Sequence, residues 1–431
     1  MTITPQLLAN YMIKYGGYFD ALPEINTIAD LLPFTQKAKV GEKYQVSFLI
    51  GQEHGQTASR AGGLFPLNEA IGAELARCEL DGSTIMMRTQ YAWDDVYASL
   101  NGSDTSYNDT MSLKMKAKGK GASTYRDLAL AYGPGSGSVL ASNIGTVKTT
   151  STAVNTSPSV FLSKASFIRG LWPSMKNALV DIYQSDGTTL RAGNVQVLGV
   201  PTQNKTQVRF GVSTVTNMAT VNPSAVITAG DVIVPAGWRL NSCLGIEGIM
   251  KTTTGTLFNL DITNIAQCKT PTFDALNGPL SRKLIREFGA MVADNGSTEG
   301  GDLMVAASAY ASLAEDFAAL NRDTTKGGEK LQGESGLKFE TPAGIINVRT
   351  WPLAKQGQGM YFAKTANAYR AGTTDNTMRP IKGLNEGFLT PLIDKSGCQS
   401  VMYSNQAPFI EQNWHNFFVQ NIVSSGDIPD A

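Results

Sequence analysis

The side chains best able to do chemistry are few, and their spacing argues against most of it. His54 and His415 are the only histidines, which leaves acid–base or metal chemistry built on imidazole with almost no candidates. Cys78, Cys243, Cys268 and Cys398 stand singly, without the C-x-x-C spacing that a zinc site or a dithiol couple needs. They read as buried free thiols. Two glycine-rich runs invite a test as phosphate cradles. In Gly119–Thr124 (GKGAST) the lysine is not followed directly by Ser or Thr, as a P-loop requires. Gly133–Ser138 (GPGSGS) lacks the dinucleotide-binding spacing and follows a helical pattern rather than a strand. Both read as backbone turns. With no Gly-x-Ser-x-Gly elbow either, the expectation is a protein with no catalytic residues, no cofactor and no metal.

The densest positive charge is Lys114, Lys116, Lys118 and Lys120. At alternate positions of a helix these span a broad arc rather than one line. A solvated face and a phosphate-contacting face are both consistent with that. The whole chain adds no field of its own, since Lys+Arg and Asp+Glu both number 36. Only 17% of its 431 residues are charged and 42% are hydrophobic, so the surface is poor in charge or largely covered by neighbours. Forty-three glycines favour a β-rich, loop-rich architecture. The N-terminus does not read as a secretory signal, and no apolar run approaches the roughly 20 residues of a membrane span.

The elements that must position these residues are most legible between Asn277 and Trp351, where both periodicities are clean. Asn277-Gly278-Pro279 is a helix-start signal. Leu280, Leu284, Phe288, Met291 and Val292 then lie on one helical face. Asp302–Ala307 has the length of a buried strand. Ser308 can cap a second helix carrying Tyr310, Leu313, Phe317 and Leu320, and Ile345–Trp351 alternates as a strand. Upstream, two brief helices before Pro33 cannot form a core alone and must pack on the main body or on another subunit. Tyr44–Ile50 is strand-like, and a second strand-like zone returns at Ile85, Met87 and Thr89. A long two-stranded excursion between them would be marginal without a partner surface. Ser103–Tyr132 reads as one long helix weakened at Gly119 and Gly121, where a kink or an irregular turn can be accommodated. Ala178–Trp238 carries short strands at close spacing, a small β unit inserted into a larger domain. The chain ends on β-like segments, with an aromatic stretch at Trp414–Val423 tied into a sheet.

In this order the parts resemble the major capsid proteins of tailed bacteriophages, whose fold is shared with encapsulins and the floor of the herpesvirus capsid. The local matches are RDLALAYGPGSGSV after the long helix, ITAGDVIVPAG in the β insertion, and DLMVAASAYASLAEDF followed by ETPAGIINVRTWPL.

The resemblance implies an α+β fold: an N-terminal arm (1–40), an extended β-hairpin loop (41–80), a peripheral domain with a long spine helix (81–137), an axial α/β domain in two parts (138–177 and 239–375) around an inserted small β domain (178–238), and C-terminal strands of the peripheral domain (376–431). It further implies a non-enzymatic virion shell subunit, made in the host cytoplasm, that forms pentamers and hexamers and encloses double-stranded DNA through non-specific contacts. Scaffolding, portal and cement proteins would be its other partners, with no membrane involved. An encapsulin-like compartment is the alternative, and an α/β enzyme a distant third. Gln52, Arg60, Leu64, Phe65 and Leu67 would lie on the loop that reaches over a neighbour. The four lysines of the spine helix would face the lumen. Some members lock their shells with isopeptide bonds from a loop lysine, but no lysine occurs between Gln45 and Leu113. A non-covalent shell is therefore expected.

Overall fold

The computed structural model describes residues 27–427 apart from 38, 41–42, 59–60, 62–66, 71, 94–104, 138–139, 203–204, 214–221, 322–336, 379–389, 393–395 and 425. Its frame is the helix Thr105–Tyr132, which runs unbroken through Gly119 and Gly121. No irregular turn interrupts it there, and Gly121 serves close packing: a Cβ there would come within 2.8 Å of Met87 Cε on the sheet beneath. That sheet is antiparallel around one long strand, Gly397–Ile410, with Ser83–Ala92 on one side and Ala368–Met378 on the other.

Strand Ser83–Ala92 alternates as its sequence suggests. Ile85, Met87, Thr89 and Tyr91 are more protected than Thr84, Met86, Arg88 and Gln90. Yet it is not the second strand of the excursion. Lys43–Gly51 pairs instead with Glu74–Asp81, putting Val46 opposite Cys78 and Tyr44 opposite Leu80. ELARCELD hides its strand because its apolar positions are interleaved with charges, which suits a ribbon with one wet face.

The α/β unit holds a six-stranded sheet in the order Thr272–Asp274, Phe417–Gln420, Gly359–Ala363, Gly301–Val305, Gly344–Thr350 and Leu337–Thr341. Leu303, Met304 and Val305 are all buried, as expected of a central strand covered on both faces. Phe273, Phe288, Tyr361 and Phe417 form an aromatic cluster that ties the C-terminal strand into this sheet, with Tyr361 and Phe417 stacked at 4.4 Å.

Two helix starts differ from expectation. Helix Arg282–Asp294 is capped by Ser281, whose Oγ accepts from the Leu284 amide. Asn277 sits upstream at φ 59, in a turn that positions the cap rather than supplying it. The next helix begins at Ala307, which places Ser308 inside the first turn and leaves its Oγ without a partner.

The small β unit is larger than its sequence signature. Its sheet runs Gly145–Thr146, Val232–Pro235, Leu179–Tyr183, Leu190–Gly199, Gln207–Gly211, Ser159–Phe161. A boundary at 178 cuts through that sheet, because the two short strands before it are too brief to announce themselves by periodicity.

Candidate assembly surfaces and the buried charge cluster

The hairpin Lys43–Asp81 has an inner and an outer face. Tyr44, Val46, Phe48, Cys78 and Leu80 are buried against the body. Strand alternation then puts Gln45, Ser47, Leu49, Leu75, Arg77 and Glu79 on the other side, where polar residues are the rule. Two break that rule. Leu49 and Leu75 are directly opposed across the strands, yet are 56% and 70% exposed. Beyond them Leu67 is 82% exposed, and Gln52 is also exposed. The three others expected on the loop, Arg60, Leu64 and Phe65, lie outside the described residues. Sequence reasoning missed Leu49 and Leu75, since their exposure depends on which face of the ribbon meets the body.

The four lysines do not act as one group. Helical geometry pairs Lys114 with Lys118 and Lys116 with Lys120. Lys118 is only 5% exposed, and its Nζ donates to the Ser400 carbonyl at 2.7 Å and to Ser400 Oγ at 2.8 Å. Burial lowers its ammonium below the usual range. Lys114 Nζ lies 5.5 Å from the centre of the Tyr91 ring on the same sheet. Lys116 is exposed and Lys120 half-buried. The expectation of four lysines facing the lumen is therefore corrected for Lys118, whose charge is held inside the subunit.

Before the long helix, the arm is anchored by charge as well as by packing. Asp127 is fully buried and accepts from the Ile28 and Ala29 amides at 3.1 and 3.2 Å, satisfying the first turn of helix Thr27–Leu31. Burial raises its carboxyl to about 6, against the pull of those amides and Arg126. Arg370 donates from Nε to the Leu32 carbonyl at 2.8 Å and from Nη1 to Asp375 and Gln406. Strand Phe34–Gln36 then joins Ala368–Met378 in parallel. The arm thus packs on the main body from residue 27 onward.

At the C-terminal end of the long helix is a buried ionic cluster with no counterpart in the sequence reading. Glu247 and Lys355 are 0% and 2% exposed. Lys355 Nζ donates to Glu247 Oε1 at 2.8 Å and Oε2 at 2.6 Å. Lys251 donates to Oε1 at 2.6 Å, and Ser142 Oγ donates to Oε2. Tyr132 lies beneath the Lys355 ammonium at 4.5 Å and stacks on Trp351. Burial alone would push the Glu247 carboxyl up; Lys355 and Lys251 outweigh it and hold it at about 2. Burial pulls Lys355 down to about 8 despite its carboxylate partner. The carboxylate is already occupied by two ammonium groups and a hydroxyl and closed off from solvent, so the cluster is a clamp between four segments rather than acid–base machinery.

The remaining candidates are structural. All four cysteines are free and buried, and burial raises the thiols of Cys78 and Cys243 to about 12. His415 Nε2 lies 3.0 Å from the Asn295 carbonyl, tying a helix end to the last strand. Among the described residues no group of His, Cys, Asp and Glu could hold a metal ion, and no helix is long and apolar enough to cross a membrane.

No family model matches the sequence, and no curated protein matches it significantly. Among solved structures, the capsid asymmetric unit of cyanophage A-1(L) aligns over 98% of this chain and 100% of that one, with a TM-score of 0.53 at 9% identity. The chain has a phage capsid fold. Lower-scoring similarities include the capsid of cyanophage P-SCSP1u, at 11% identity and a TM-score of 0.43 over 94% and 91% of the two chains. The SrpI encapsulin of Synechococcus elongatus follows at 6% identity and 0.38 over 98% and 96%. The capsid fold accounts for the α+β architecture, with its long helix against long antiparallel strands and its separate six-stranded α/β sheet.

Proposed function

We propose that this protein is a major capsid protein, a non-enzymatic subunit that self-assembles into the icosahedral head of a tailed bacteriophage around double-stranded DNA. The observation that carries this is the correspondence of folds over 98% of this chain and 100% of the cyanophage A-1(L) capsid chain. The outer face of the hairpin supports it. Leu49 and Leu75 are exposed apolar side chains on a two-stranded ribbon and Leu67 is another between its strands, and a neighbouring subunit would supply the surface they lack. Gln52 to Pro66, including Arg60, Leu64 and Phe65, would form the tip of that contact. Lys114, Lys116 and Lys120 are the helix lysines left to face packaged DNA, through salt-screened contacts that carry no sequence information. Scaffolding, portal and cement proteins belong to the same reading, as does a virion location after assembly in host cytoplasm.

Negative-stain imaging of the purified protein tests it. Closed shells are expected, and deletion of 52–66 should leave a folded subunit that no longer assembles. A strictly monomeric particle across concentration and salt would overturn the reading. Shells filled with protein cargo instead of DNA would reassign it to an encapsulin-like compartment.

A further inference from the structure

Between Asp109 and Asp181 the chain carries nine lysines and arginines and a single acidic residue, Asp127, in a protein whose formal charge is zero. Asp127 is fully buried under the arm, so this stretch brings no carboxylate to the surface. Three of its cations are engaged inside the subunit: Lys118 by Ser400, Arg126 by Asp375 and Lys164 by Asp427. Lys116, Lys148, Arg169 and Lys176 are exposed and Lys120 is half-buried. A one-sided concentration of cations in an otherwise neutral chain is the footprint expected for contact with a polyanion.

The fold brings part of that charge together. Ala117, Gly121 and Thr124 follow one another at four- and three-residue intervals along one face of the long helix, and their small side chains leave a cleft of about 340 Å³ between the helix and the turn 171–178. Lys120 lines the cleft from the helix and Lys176 from the turn, and none of its described lining residues is acidic. Lys116 lies one helical turn before Lys120. The turn holds Lys176 in place. Leu171, Trp172 and Met175 are buried beneath it, and Trp172 meets Phe210 edge-on. The Ala178 amide donates to the Met175 carbonyl and the Asn177 amide to the Val197 carbonyl, both at 2.8 Å. Lysine ammonium groups are point charges without the planar fork of arginine, which suits phosphates contacted without reading of sequence.

We propose that Lys176 is a further contact for double-stranded DNA, and that it completes with Lys116 and Lys120 a track across this cleft on which the phosphate backbone lies. The proposal rests on the reading of the helix lysines as DNA-facing and extends it to the turn that leads into strand Leu179–Tyr183.

Full-length, unassembled protein would be titrated with a labelled DNA duplex of mixed sequence, following fluorescence anisotropy between about 50 and 200 mM salt. Lys176→Gln should lower the slope of log K against log[salt] by about 1, equally for duplexes of different sequence. Lys176→Arg keeps the charge and should restore the wild-type slope, which separates lost charge from a disturbed turn. Lys283→Gln, at an exposed lysine of helix Arg282–Asp294 outside the cleft, should leave the slope unchanged. A slope lowered by Lys116→Gln with Lys120→Gln but indifferent to Lys176→Gln would overturn this proposal and leave the helix reading standing. No DNA binding by the wild type, or a slope indifferent to all three lysines, would sink both. A poly-glutamate peptide is titrated alongside: if its binding depends on Lys176 while that of DNA does not, the cleft belongs to an acidic protein partner and the proposal is overturned.

Discussion

Lys355→Met should be among the most damaging single substitutions in this chain. The lysine makes two charge-assisted hydrogen bonds to Glu247, at 2.8 and 2.6 Å, in a setting where both partners are at most 2% exposed. Each such bond contributes about 1.5–3 kcal/mol, and breaking a buried pair from one side costs about 3–5 kcal/mol because the other charge stays behind. Lys251 and Ser142 remain on Glu247 and keep the cost towards the lower figure. For a chain of this size that corresponds to a Tm lower by roughly 3–6 °C. Removing the stranded charge as well should recover much of the loss, so Lys355→Met combined with Glu247→Gln should be more stable than Lys355→Met alone. Glu247 adds a pH signature. Its folded carboxyl is held at about 2, below its ordinary value of 4.5, so its contribution is fully present above about pH 4.5 and is lost as pH falls towards 2. Urea unfolding of the unassembled subunit between pH 2.5 and 7 reads both effects. A Lys355→Met cost under about 1 kcal/mol at pH 7, or a double variant no better than the single, would refute the assignment of the cluster as a clamp.

The lysines should divide by face. Lys118→Met should lower Tm through loss of its bonds to Ser400, whereas Lys116→Gln with Lys120→Gln should change subunit stability by no more than about 0.5 kcal/mol and lower the salt slope of double-stranded DNA binding by about 2. Equal Tm losses in the two variants would defeat the division. Asp127, raised from 3.8 to about 6 by burial, binds an extra proton when folded, so its contribution falls by about 3 kcal/mol as pH rises from about 4 through 6. The stability difference between wild type and Asp127→Asn should follow that curve; a difference flat with pH would count against it. Denaturing electrophoresis of assembled particles under reducing conditions should show a single band near 46.1 kDa, and a ladder of covalent multimers would contradict a non-covalent shell.

Where local pattern is strong, structure could be read from sequence. The stripe Leu284–Phe288–Val292 and the alternation of Ile345–Trp351 placed a helix and a strand correctly, because one buried face is enough to impose a period on the residues. The buried state of four isolated cysteines was legible from their spacing, and the order of parts was enough to suggest a capsid fold. Pairing was not legible. Nothing local tells Lys43–Gly51 to choose Glu74–Asp81 over Ser83–Ala92, since strand partners are selected by which faces the rest of the chain covers. The same reason makes Leu49 and Leu75 exposed and Lys118 buried, against the usual behaviour of both residue types. Charge clusters were the least visible. Glu247, Lys251, Ser142 and Lys355 are separated by up to 213 positions, and only tertiary packing could remove the water between them and turn ordinary charges into a clamp.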